Sequence, residues 1–331
     1  MKKILFLNIY ILFSAIFNVT YASSGILKQN DTVDVPKKLT KILALGNSFS
    51  QDAVDQNLYE LAKSEGLEIL IGNLNIGGCS LDRHWNNISN DVAEYAYLKI
   101  ENGNKTNTSG NRISVIIKEE DWDYISIQQV SGYSGVFSSY ANLPKIMNYL
   151  RENATNPNVK FILHQTWAYA ETSHHGDFPK YDNNQMKMYK AIVKTAKQAA
   201  KAGNIDIIIP SGTAIQNGRT SYIGDNFDRD GFHLQLTYGR YTVACTWFEK
   251  IFGVDVRNNS FIPTGVDESE ANVARAAAHF AVKKPYKITK LAKFKENSAV
   301  KQESQTNKTI NEILIFTHNF DFAIIRHVFP V

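Results

Sequence analysis

Lys41-Ile42-Leu43-Ala44-Leu45-Gly46-Asn47-Ser48-Phe49-Ser50 is a short apolar run broken by a turn of small residues. Apolar runs of this length bounded by a turn signal read as strands buried on both faces. After the turn the spacing changes. Val54, Leu58, Leu61 and Ala62 recur at helical intervals, and the pattern stops at Gly66, the left-handed cap expected of a helix end. The helix predicted here covers Val54 to Glu65. A buried strand leading into a helix begins a βαβ unit, and parallel sheets bind their ligands at the carboxyl ends of the strands. Ser48 therefore stands where a reacting group belongs. It also stands where a helix cap belongs, a role that Ser50 or Asp52 would fill equally well.

The same alternation repeats outward from this point. Further strands are expected at Glu68 to Asn75, Tyr124 to Gln128, Val159 to His164 and Asp206 to Ile209. Between them helices are expected at Tyr140 to Glu152, Asn183 to Ala202, Gln235 to Phe252 and Glu268 to Val282, two of them stopped by Gly203 and Gly253. The stretch around Asn102-Gly103-Asn104 reads as a hairpin-like insertion. No internal repeat is present.

The ends differ in character. Met1-Lys2-Lys3, the apolar run Ile4 to Val19 and the small residue Ala22 make residues 1–22 a secretory signal, so the mature protein is expected in the periplasm or outside the cell. The apolar run is short for a membrane span, so an uncleaved anchor is the alternative, and no stable insertion is expected once the signal is cut. Residues 23–38 are polar and read as a linker. Residues 286–331 form an unassigned extension whose apolar end, Ile313 to Val331, carries Asp321, Arg326 and His327 and so does not suit a membrane helix.

With 331 residues, 44% of them hydrophobic and 21% charged, the chain has the composition of a globular protein with one large core. A formal net charge of +4 gives no support for a nucleic-acid partner, which would call for a basic stripe. Two cysteines, Cys79 and Cys245, make neither a disulfide framework nor a thiolate metal site, and an oxidising compartment leaves open whether they pair. His174-His175-Gly176-Asp177 has a metal-like look but lacks a third well-spaced ligand, so no metal and no cofactor are expected.

Three other segments carry groups that would complete the chemistry of a serine. Asp228-Arg229-Asp230-Gly231-Phe232-His233-Leu234 precedes an amphipathic run, and Asp230 and His233 are three residues apart, so one turn can aim both at one spot. A hydroxyl nucleophile needs a base, and an imidazole base needs a carboxylate at its other nitrogen. The alternative is that Asp230 caps the helix while His233 packs. His84, in Asp82-Arg83-His84-Trp85, is the other candidate base, without a carboxylate at matching spacing. Asn75-Ile76-Gly77-Gly78-Cys79-Ser80 offers backbone N–H donors that no side chain screens. Ile127-Gln128-Gln129-Val130 ends the third strand with two amides that could serve an oxyanion or simply satisfy loop carbonyls. Trp167 and Tyr169 follow the fourth strand, where aromatic rings would suit a sugar or serve equally well as core or lid residues.

Taken together and in this order, Gly46-Asn47-Ser48, Gly77-Gly78, Gln128-Gln129 and Asp230-Gly231-Phe232-His233 resemble the sequence blocks of the SGNH (GDSL-type) hydrolase superfamily, over about Lys38 to Pro285. The resemblance implies a domain at 39–285 with a three-layer α/β/α fold and a flavodoxin-like sheet of five parallel strands. It implies Ser48 as nucleophile, His233 as base and Asp230 as its orienting acid, with Ser48 and Gly78 N–H groups as oxyanion donors. Position 47 is Asn where most of the family has Asp, and the family's Gly-x-Asn-Asp block is missing after the third strand. Carbohydrate-esterase branches put a Gln there, and on that likeness Gln129 is expected to be the side-chain donor in preference to Gln128. Asn47, Trp167 and Tyr169 are expected to touch the substrate. The expected activity is a secreted serine esterase removing O-acetyl groups from polysaccharide or other carbohydrate. The alternatives are a lipase or thioesterase of longer acyl chains and a non-catalytic carbohydrate-binding protein.

Overall fold

A computed structural model describes residues 38–295. The expected signal, the 23–38 linker apart from its last residue, and positions 296–331 of the extension lie outside the described residues.

In chain order the elements are β1 (Thr40–Gly46), α1 (Ser48–Val54), α2 (Leu58–Ser64), β2 (Ile69–Asn75), α3 (Leu81–Ser89), β3 (Tyr95–Glu101), β4 (Asn104–Asn111), α4 (Ile113–Ile116), β5 (Tyr124–Ile127), α5 (Leu143–Asn153), β6 (Lys160–His164), α6 (Gln185–Gly203), β7 (Ile207–Ile209), α7 (Ser211–Gly218), α8 (Tyr238–Phe252) and α9 (Glu268–Lys283). The sheet has seven strands in the order β4-β3-β2-β1-β5-β6-β7. Five of them, β2-β1-β5-β6-β7, run parallel in the flavodoxin-like order. The Asn102-Gly103 segment turns the antiparallel hairpin β3-β4 onto the free edge of β2.

Alternation along β1 makes the three layers. Ile42 and Ala44 face one core with Val54 of α1, Leu61 of α2, Val243 of α8 and Ala274 of α9. Leu43 and Leu45 face the other with Leu81 of α3, Ile116 of α4 and Ile146 and Met147 of α5. A side-chain period of two on a strand covered by helices requires apolar residues on both faces, which is why the run is unbroken. Gly46 ends it at the one place where a side chain has no room: a Cβ there would lie 2.7 Å from Ser50 Oγ, so only glycine lets α1 fold back over the strand end.

Four expectations need correction. The single helix predicted from Val54 to Glu65 is two, because the chain turns at Asn57 (φ 67) after Asp55, whose carboxylate takes Asn73 Nδ2 at 2.7 Å. Helix α7 has no counterpart in the periodicity. All eight of its residues are buried, Ser211, Thr213, Gln216 and Asn217 among them, so no apolar stripe stands out against a polar face. Helix α8 begins at Tyr238 and not at Gln235, whose Oε1 accepts from the Thr237 N–H and whose N–H donates to Phe227 O. The folded domain does not end at Pro285. Thr289 N–H donates to Asn217 Oδ1, Leu291 N–H to Thr220 Oγ1 and Tyr222 N–H to Phe294 O, and Leu291 is buried. The two cysteines are both free and buried.

Candidate active site

Strand β1 delivers Ser48 to the first position of α1, at the carboxyl edge of the sheet. The histidine arrives from 185 residues downstream, on a tight loop between α7 and α8. Phe227 to Gln235 fold as a miniature hairpin: Arg229 N–H donates to His233 O, Gln235 N–H to Phe227 O, and Asp228 bridges Leu234. At its tip Asp230 Oδ1 accepts from the N–H groups of Phe232 (3.2 Å) and His233 (2.7 Å). Gly231 sits between them at φ +88, a conformation that a side chain would strain, and a Cβ would also lie 3.1 Å from Ser173 Cα. This turn leaves Asp230 Oδ2 2.7 Å from His233 Nδ1, and His233 Nε2 lies 2.9 Å from Ser48 Oγ. The structure thus brings Ser48, His233 and Asp230 together, and Asp230 does not cap α8. Burial by itself would raise the Asp230 carboxyl, but the hydrogen bonds from the His233 ring and the two backbone N–H groups outweigh it and hold the group below the ordinary Asp value.

The glycine turn stands next to this array because Gly46 and Asn75 are register partners and Ile76 N–H donates to Gly46 O. Among the described residues neither the Ser48 nor the Gly78 N–H has an internal acceptor, and Gly78 is exposed. Both remain available to a ligand oxygen.

The other expected site residues are placed differently. Gln129 is buried and fully engaged: its Nε2 donates to Ser139 O and Oγ, and its Oε1 accepts from the Leu81 and Val130 N–H groups. Its amide organises the loop after β5 and is not an oxyanion donor here. Gln128 is no substitute, since its Nε2 donates to Asn47 Oδ1 at 2.7 Å. Trp167 and Tyr169 are both 0% exposed and cannot form a platform for substrate. Trp167 stacks on Phe49 at 4.1 Å and donates its indole N–H to Phe232 O, while Tyr169 OH meets Ser131 Oγ. Asn47 is 1% exposed and does not reach a substrate either. His84 is buried against Tyr95 OH at 2.9 Å, and desolvation depresses it to about 3, so it stays neutral and away from Ser48.

What Asn47 does instead explains why it is not Asp. Its Oδ1 accepts from the Phe49 N–H and from Gln128 Nε2, while its Nδ2 donates to Cys79 O. Behind it, Gln128 Oε1 faces His164 Nδ1 at 2.7 Å, and His164 Nε2 faces Ser211 Oγ at 3.0 Å. A buried row therefore crosses five strand ends with one polarity: Ser211 hydroxyl to His164, His164 Nδ1–H to Gln128, Gln128 to Asn47, Asn47 to the glycine turn. Desolvation lowers the His164 imidazole to about 3 and keeps it neutral, as a donor and acceptor in one ring must be. An Asp at 47 would have no N–H for Cys79 O.

Asp52 was legible only as a possible cap. It is buried, one helical turn after Ser48, and its carboxylate holds the histidine loop: Leu234 N–H at 2.8 Å, Arg229 Nη1 at 3.2 Å, and Arg240 Nε at 2.8 Å. The nucleophile and its base are thereby tied to the same short helix.

The family described as a domain of unknown function, DUF4886, matches residues 41–281. The chain belongs to the DUF4886 family. A DUF4886 family protein from Bacteroides uniformis ATCC 8492, known from a crystal structure, is 51% identical over 78% of this chain and 100% of its own, with a TM-score of 0.77. A candidate SGNH hydrolase from Slackia heliotrinireducens is 18% identical, covers 65% of this chain and 100% of its own, and has a TM-score of 0.42. An acetylxylan esterase from Geobacillus stearothermophilus is 11% identical, covers 68% and 97%, and has a TM-score of 0.43. No curated protein matches.

In this DUF4886 chain one group of side chains, among the described residues, could share a metal ion: Glu249, Asp255 and His279. These side chains already satisfy one another, with His279 Nδ1 2.9 Å from Glu249 Oε1 and 3.2 Å from Asp255 Oδ1, and Arg257 on Asp255. His174 and His175 do not belong to such a group. Removing the Asp52 carboxylate leaves Arg229 and Arg240, each partly exposed, free to turn to water, so the fold should survive a loss of about 2 to 3 kcal/mol. Asp52→Asn is expected to melt earlier and to label with a serine-directed fluorophosphonate about ten times more slowly. An unchanged labelling rate in the folded variant would show that the loop holds its position without this anchor.

Proposed function

We propose that the chain is a serine ester hydrolase that acts on O-acetylated polysaccharide or other carbohydrate in the periplasm or outside the cell. The observation that carries the reading is the hydrogen-bonded sequence Ser48 Oγ, His233 Nε2, His233 Nδ1, Asp230 Oδ2 beside two unengaged N–H groups. His233 takes the Ser48 proton as Oγ attacks the ester carbonyl, and Asp230 fixes the imidazole tautomer and stabilises the imidazolium. The developing oxyanion is held by the backbone N–H groups of Ser48 and Gly78. His233 then protonates the departing alcohol, and water activated by the same imidazole releases the acid. These steps draw on the chain's own side chains and water.

One observation and one expectation bear on the substrate. The cleft bordering Asp230 sets Thr172, His174, Asp225 and Asn226 against the rings of Phe232 and His175, a mixed surface that suits a sugar better than a long acyl chain. The secretory signal read from residues 1–22 would expose the protein to polysaccharide. The experiment is acetate release from O-acetylated glycans, with 4-nitrophenyl acetate and octanoate as companions. Acetyl esters are expected to be preferred at least tenfold, and preference for octanoate would move the assignment to a lipase or thioesterase. Because both glutamine amides are engaged, a carbohydrate-binding protein without turnover is the second reading, and it requires that fluorophosphonate fail to label the wild type.

A further inference from the structure

In a serine hydrolase the two halves of an ester lie on opposite sides of the nucleophile. The carbonyl oxygen turns toward the N–H donors, and the leaving oxygen must sit against the imidazole nitrogen that protonates it. Here those sides are distinct in the fold. Gly78 follows β2, which flanks β1 on one side, whereas residues 170–175 follow β6, which lies beyond β5 on the other. On that second side a cleft of about 490 Å³ opens beside Asp230 and Phe232, within the roughly 300 to 1,000 Å³ typical of small-molecule sites. Phe232 lines it, and its ring centroid is 4.1 Å from that of His233, so the wall of the cleft touches the base itself. His175 continues the wall, edge to face with Phe232 at 4.7 Å. The aromatic surface that sequence reasoning placed on Trp167 and Tyr169 is thus supplied one layer outward.

We infer that this cleft is the subsite for the alcohol half of the ester, and that it takes a neutral sugar. The inference rests on the hydrolase reading above. A pyranose presents apolar C–H faces and a rim of hydroxyls, and the cleft offers one surface for each. Phe232 and His175 form the apolar wall, and Asp225, Asn226 and Asp230 bring hydrogen-bonding groups to the polar one. Among the described residues it offers no free cation to an anionic sugar: Arg229 on its rim is held by the buried Asp52, and the Asp225 and Asp228 carboxylates are themselves paired with Arg219. In the transfer step the ester C–O bond breaks, the acyl carbon stays on Ser48 Oγ, and the proton on His233 Nε2 passes to the sugar oxygen, which leaves as a hydroxyl into this cleft.

The test uses the full-length protein and compares two esters that share an acetyl group and differ in the alcohol: O-acetylated cellobiose and 4-nitrophenyl acetate. The quantity read is the ratio of their kcat/KM values. Phe232→Ala, which removes the wall, and Thr172→Trp, which fills the cleft from an exposed position, are each expected to lower this ratio at least tenfold, chiefly through KM for the disaccharide. Melting curves identify a variant that has not folded, and the exposed Thr172 position keeps the test standing if Phe232→Ala fails. Calorimetric binding of unacetylated cellobiose should be detectable in wild type and lost in Thr172→Trp. Ratios within twofold of wild type in the folded variants, or equal cellobiose binding, would overturn the subsite. Faster turnover of an acetylated glucuronic acid disaccharide than of its neutral counterpart would overturn the neutral class. A wild type inert toward both esters would sink the hydrolase reading instead, and the binding comparison would still judge the cleft.

Discussion

Ser48→Ala should lose ester turnover by roughly four orders of magnitude or more and take up no fluorophosphonate, because the remaining groups can bind and polarise an ester but cannot form the acyl intermediate. Its stability should hardly move. Among the described residues, the one hydrogen bond that the Ser48 hydroxyl makes is to His233 Nε2, at a partly buried position, so removing it leaves no orphan in the core. A change within about 0.5 kcal/mol is expected. The combination is diagnostic. A residue serving only as the start of α1 would alter the melting midpoint and leave labelling intact. Persistent labelling of the variant would place the reactive nucleophile elsewhere and end the assignment of Ser48.

Asp230→Asn should be nearly as damaging, by about 10⁴-fold in kcat, for a reason that the hydrogen bonds make explicit. The Asn oxygen can keep the two bonds from Phe232 and His233 N–H that Oδ1 now accepts, so the turn persists. The amide nitrogen then replaces Oδ2, 2.7 Å from His233 Nδ1, and donates where the carboxylate accepted. That forces the ring proton onto Nε2, the atom that must receive the Ser48 proton. The variant should fold and be inert, and its KM with any residual turnover should be close to wild type. Turnover within tenfold of wild type would mean that Asp230 has only a structural part at the tip of the loop.

Much of this was readable in the chain because it depends on short-range order. The run Ile42 to Leu45 had to be a strand covered on both faces, and Gly46-Asn47-Ser48 had to end it. The three-residue spacing of Asp230 and His233 made one turn able to carry both. The glutamines show the opposite case. Whether Gln129 donates to a substrate or to Ser139 depends on the path of the loop from Val130 to Ser139, and a side chain one bond longer than Asn leaves both choices open in the sequence. Trp167 and Tyr169 failed as platforms for a related reason: an aromatic residue after a strand end is buried or exposed according to what lies above it, and here the Phe232 loop and Phe49 lie above it. Asp52 had a signal, its place one turn after Ser48, but its partners Arg229, Leu234 and Arg240 are about 180 residues away.

The chain by itself determined the parallel α/β architecture, the strand end that carries Ser48, and the spacing that lets one turn carry both Asp230 and His233, because each follows from periodicity or spacing within a few residues. Only the tertiary structure decided that the imidazole meets the hydroxyl, that Asn47 belongs to a buried row of hydrogen bonds, and that the open aromatic wall is Phe232 and His175. Those are contacts between segments brought together by the packing of two cores on one sheet, and burial and hydrogen-bond partnership at such distances have no imprint on local sequence.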